Sequence, residues 1–171
     1  MLIARTWSRL FLTLVLAAGA CLAQKPESPK EPPRFYKLDF VVKELDNGKL
    51  LNARSYSITG STDGSPSQIR TGSKIPVPSS PGSTQFSFID VGVHIDCRSI
   101  KEAGSELSLA VATEISSTVR ESIPSSYPIV RQNRWDATVL VPLRKPTVIF
   151  SSDDAATTHQ IQLELTVTPM T

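Results

Sequence analysis

Reactive side chains are scarce in this chain: two cysteines, two histidines and two methionines among 171 residues. Cys21 and Cys97 are too few for a disulfide framework, and two histidines leave little for a histidine-rich metal site. No charge of one sign dominates either. Arg5 and Arg9 account for the whole formal net charge of +2, so the chain beyond them is neutral and offers nothing to nucleic acid or to a strongly acidic partner. After the first two dozen positions no apolar run approaches the ~20 residues of a membrane helix. Complete glycine-rich phosphate loops and internal repeats are also absent.

What is present begins with an export leader. Arg5 and Arg9 precede the apolar run "LFLTLVLAAGACLA", and small residues stand before Gln24, which reads as a signal peptide over 1–23. "AAGAC" is similar to a lipoprotein cleavage box, with Cys21 as the lipid-bearing residue and Ala18 where that box has leucine; both processing routes stay open. Residues 24–34, "QKPESPKEPPR", carry proline and charge with little to bury, the composition of a spacer. The remainder, 35–171, reads as a single β domain.

Alternation of apolar and polar residues dominates that domain. Strands are expected over 35–45 and 50–59 around Asp46-Asn47-Gly48-Lys49, whose Asn-Gly pair accepts the positive φ angles of a type I′ turn. "QIRTGSKIPVP" reads as a short third strand, and Phe86–Ser99 as a fourth with Ile89, Val91, Val93, Ile95 and Cys97 on its buried side. A turn at Lys101–Gly104 leads to "ELSLAVATEISS", where Leu107, Leu109, Val111, Thr113 and Ile115 share one face. Trp135, Ala137, Val139 and Val141 do the same in "IVRQNRWDATVLVPL", and "PTVIFSS" and "HQIQLELTVTP" complete eight strands. The expected fold is all-β, a mostly antiparallel sheet or a two-sheet β-sandwich. Gly92, in the middle of the fourth strand, gives up side-chain packing there, which points to a bend, a bulge or a close approach by another backbone.

Candidates for chemistry are weak one by one. His94 shares a strand face with Asp90 and Asp96, a set of oxygen and nitrogen ligands, but alternate residues on one strand stand about 7 Å apart and a metal draws ligands from more than one element. Ser151 or Ser152 with Asp153 and His159 spells a hydrolytic group without nucleophile-elbow spacing. Thr71-Gly72-Ser73-Lys74 reads as a turn, and Arg131, Arg134 and Trp135 as a strand border around a buried indole. Cys97, on an apolar strand side, reads as a core residue. Neither a catalytic site nor a cofactor or metal site is assigned.

Taken in order, Arg70, Gly72 and Pro76, then Ile89-Asp90-Val91-Gly92, Ser116-Ser117, Pro128-Ile129 with Arg131 and Thr138, and finally Val148-Ile149, resemble the C-terminal core of bacterial secretins of type II and type III secretion and type IV pili. The resemblance covers about 70–151. It implies curved, closely layered sheets of the kind that surround a multimeric pore, and it gives Gly92 its role. The chain departs from the family at Phe150-Ser151-Ser152, where secretins carry Gly-Gly-Leu, and it shows neither their gate segment nor their upstream ring-forming domains. The expectation is a non-enzymatic exported protein, periplasmic or outer-membrane associated, acting through its strand edges on itself or on protein partners. The alternative is a periplasmic β-sandwich that binds a small ligand or cation.

Overall fold

The computed structural model describes residues 31–80, 83–119, 128–154 and 157–170; the leader, Cys21 and most of the proline-rich spacer lie outside them. Eight strands follow one another: β1 (Phe35–Asp46), β2 (Lys49–Ser61), β3 (Ser67–Pro78), β4 (Phe86–Ala103), β5 (Glu106–Val119), β6 (Ile129–Pro142), β7 (Thr147–Asp153) and β8 (His159–Pro169). They pair into two four-stranded sheets, β2-β1-β8-β7 and β3-β4-β5-β6, with every neighbouring pair antiparallel. The fold is the all-β sandwich that the alternation predicts. Among the described residues no helix is long and apolar enough to cross a membrane.

Period-two patterning explains why two sheets form. Leu38, Phe40 and Val42 of β1 and Leu163, Leu165 and Val167 of β8 turn inward from the first sheet. Val93, Ile95 and Cys97 of β4 and Leu107, Leu109 and Val111 of β5 meet them from the second, all of them buried. The central strands of each sheet therefore carry the core. Removing one such side chain, as in Leu109→Ala, costs about 2–5 kcal/mol.

The β1–β2 connection is the turn expected, with Asn47 and Gly48 at φ 50° and 75°. The β4–β5 hairpin departs from expectation. Instead of ending at Ser99, β4 continues to Ala103 through a bulge between Arg98 and Lys101, where Ser99 has a φ of 55°. The extra residue reverses the phase of the strand: Ile100 enters the core at 2% exposure, and Glu102 takes the inner side opposite Leu107. The turn falls later, at Gly104, with a φ of 67°. The other end of β4 is bare, and Ile89, expected to be buried, is 39% exposed.

Candidate functional site

Gly72 and Gly92 stand directly opposite each other in the β3–β4 ladder. A Cβ on Gly92 would collide with the Thr71 carbonyl oxygen and the Gly72 Cα, and one on Gly72 with the Val91 carbonyl. Glycine is required at both positions because two backbones occupy that space. On the far side of Gly92, the ladder between β4 and β5 stops at Val93–Ile115. Beyond it, the Ser116 hydroxyl accepts a hydrogen bond from the Gly92 N–H at 3.0 Å and donates to the Gly92 carbonyl at 3.4 Å. A side chain thus replaces the missing backbone partner. From this junction the sheet forks: Phe86–Val91 pairs only with β3, and Ser116–Val119 only with β6. Gly72, Gly92 and Ser116, scattered in the sequence, meet at one point.

The same bonds fix the direction of every backbone group in this sheet. Because the Gly92 N–H points to Ser116, Gly72 and Gly92 are a non-hydrogen-bonded pair, and the Gly72 N–H points out of the open edge of β3. Gln68, Arg70 and Lys74 follow by alternation, and Pro76 and Pro78 fall on that outward row, where neither has an N–H to offer. Carried across the unbroken registers His94–Glu114 and Glu114–Arg134, the alternation turns the N–H groups of Gln132, Arg134, Asp136, Thr138 and Leu140 outward along β6. Among the described residues no backbone bond meets them. Exposed Phe86 and Phe88 stand on the β4 arm of the fork, and Ile129 and Leu140 on β6.

The other residues singled out in the sequence find ordinary partners. Asp96 receives two hydrogen bonds from Arg70, at 2.6 and 2.8 Å, and Asp90 pairs with Lys74 at 3.3 Å, so both acids beside His94 are held by β3 cations. Among the described residues no group of three potential ligands is placed to hold a metal. Thr71–Lys74 is not a turn but continuous β3 strand, since the close glycine pair extends the ladder through it. Trp135 packs against the core, its ring 5.6 Å from that of Phe150. Arg131 reaches Asp154 across the sandwich, and Arg134 lies on the opposite face of β6 opposite Glu114, so the two arginines form no joint patch. Cys97 is buried, and desolvation, with Asp96 adding to it, pushes its thiol up to about 12.

Ser152, Asp153 and His159 do come together, along a cleft between the open ends of the two sheets. Asp153 accepts from the Gln160 amide at 2.7 Å, and among the described residues no hydrogen bond joins Ser151 or Ser152 to the His159 ring. The opposite end of the sandwich carries a cluster that periodicity missed. Arg34 and the Tyr36 hydroxyl both donate to Glu102, the carboxylate that the bulge turned inward. The Tyr36 bond, then Arg34, holds Glu102 below the usual carboxylate range, while burial, reinforced by Glu102, raises Tyr36.

No protein-family model matches the sequence, and no curated protein matches it. Solved structures do match. The secretin InvG of the Salmonella SPI-1 type III secretion injectisome aligns with a TM-score of 0.50 at 6% identity, over 81% of this chain and 64% of that one. The type II secretion system secretin GspD of E. coli K12 aligns at 0.44 and 11% identity over 81% and 48%. The type II secretin XcpQ of Pseudomonas aeruginosa gives 0.45 and 10% over 81% and 57%. The fold is secretin-core-like, and the chain spans less than two thirds of the length of each of these three structures.

Proposed function

We propose that this is a non-enzymatic, exported component of the bacterial envelope that works by contact, extending its β3-β4-β5-β6 sheet edge to edge with further copies or with another β protein. The observation that carries this is the open β6 edge, with five consecutive outward N–H groups and no backbone partner among the described residues. Strands β3 and β6 are three antiparallel steps apart and run in opposite directions. A copy related by rotation about an axis along the strands would therefore lay its β3 antiparallel on β6, a head-to-tail contact that repeats. The secretin-like fold supports placement in a secretion, pilus or outer-membrane assembly. The leader over 1–23 supports export to the periplasm or outer membrane, the spacer over 24–34 gives the domain reach, and Cys21 offers a lipid anchor.

Chemical cross-linking of the purified chain followed by mass measurement tests the reading. A ladder of multiples of the chain, or a defined complex with another envelope protein, is expected; a monomer that captures nothing overturns it.

A further inference from the structure

Where copies join edge to edge as proposed above, β3 of one copy lies antiparallel on β6 of the next, and the two edges themselves limit how they can align. Gln68, Arg70, Gly72 and Lys74 of β3 and Gln132, Arg134, Asp136, Thr138 and Leu140 of β6 direct their backbone groups outward, so these two rows oppose each other and the register shifts only in steps of two residues. Both rows carry their side chains on the solvent face, away from Val93 and Ile95, and every such step keeps that face continuous. Charge then separates the registers. Arg70 is held by Asp96 and Lys74 by Asp90, whereas Arg134 and Asp136, both exposed, make no ion pair among the described residues. Setting Arg70 opposite Arg134 puts two guanidiniums face to face, and setting Lys74 there puts an ammonium against a guanidinium; like charges in that position repel. Sliding until Lys74 meets Asp136 brings Pro76 against Arg134, Pro78 against Gln132 and Pro142 against Gln68, each a rung without an N–H on one side. Sliding the other way, with Gln68 opposite Arg134, carries Asp136 past Ser67, where β3 begins.

We propose, resting on that edge contact, that the partner is a second copy of this chain and that Asp136 of one copy stands directly opposite Arg70 of the next. Arg70 then lies between Asp96 of its own β4 and Asp136 of the neighbour, and its guanidinium has donors for both. Arg134 falls opposite Gly72, where no side chain meets it, and Thr138 and Gln132 face Gln68 and Lys74 in rungs with donors on both sides. On the inner face, Val77 covers Ile129, which is 46% exposed in the single chain.

The test is disulfide formation between cysteines placed on the two edges of the full chain, Cys97 being buried. Gln68→Cys with Thr138→Cys is expected to yield intermolecular disulfides several-fold above Gln68→Cys with Leu140→Cys or Lys74→Cys with Val130→Cys, the pairs that meet in the registers on either side. Asp136→Arg, an exposed change outside the core, is expected to weaken association about tenfold in sedimentation equilibrium, since it sets a guanidinium against Arg70. A strongest disulfide from either flanking pair, none from any pair in a chain that still sediments as multimers, or an Asp136→Arg variant that associates like the wild type overturns the register and leaves the edge contact standing. A wild type that stays monomeric overturns both.

Discussion

The two edges of one sheet are built differently. On β3 the outward row of backbone donors ends in Pro76 and Pro78, so the distal end of that edge has no N–H to lend. On β6 the row runs without proline from Gln132 to Leu140 and stops only at Pro142. Proline on an exposed edge blocks pairing at that point, and its absence leaves a template. In the proposed edge-to-edge assembly, β6 would offer itself along its length and β3 would accept a partner only along its proximal part, beside Gly72.

Breaking β6 from the inside should have the largest effect. The Val139 N–H points into the β5 ladder opposite Leu109, so Val139→Pro removes an internal bond and is expected to cost about 3 kcal/mol or more, visible as loss of the cooperative unfolding transition in denaturant. Damage on the β3 side comes next. Gly92→Ala forces a Cβ into the Thr71 carbonyl and should destabilise by about 1–3 kcal/mol in the same assay, with raised hydrogen exchange confined to β3 and the β4 arm. Ser116→Ala leaves the Gly92 N–H and carbonyl without their side-chain partner and should cost about 1 kcal/mol, read as a lowered denaturation midpoint with unchanged slope. The smallest effect on stability belongs to Pro76→Thr combined with Pro78→Thr. It should stay within about 1 kcal/mol while restoring donors to the blunted row, so cross-linked species should increase.

Much of this fold was legible because strand periodicity is local. The inward faces of β5 and β8 followed directly from Leu107 to Ile115 and from Ile161 to Val167, and Asn47-Gly48 announced its turn. Gly92 advertised a crowded backbone, although not whose backbone it was. That required Gly72, some twenty residues away, and no local rule pairs the two. Three features stayed hidden for the same reason. The bulge at Ser99 reverses the alternation, so Glu102, expected in the turn, lies on the strand and meets Tyr36 in the structure. The fork depends on β4 and β5 parting where a serine hydroxyl takes over from the ladder. The cleft joins Glu44 of β1 to Arg131 of β6 and His159 of β8, through a strand order that pairs β1 with β8 across most of the chain.

The central claim is that the outer edge of β6 carries the protein's contacts. Thr138 has its N–H on that outer row and none in the β5 ladder, so Thr138→Pro removes the contact and spares the fold. Sedimentation equilibrium of the wild-type chain and this variant, each checked for an intact unfolding transition, is the most direct test. The account predicts an associating wild type and a folded, monomeric variant; equal association of the two, or a wild type that stays monomeric at every concentration and binds no envelope protein, would contradict it.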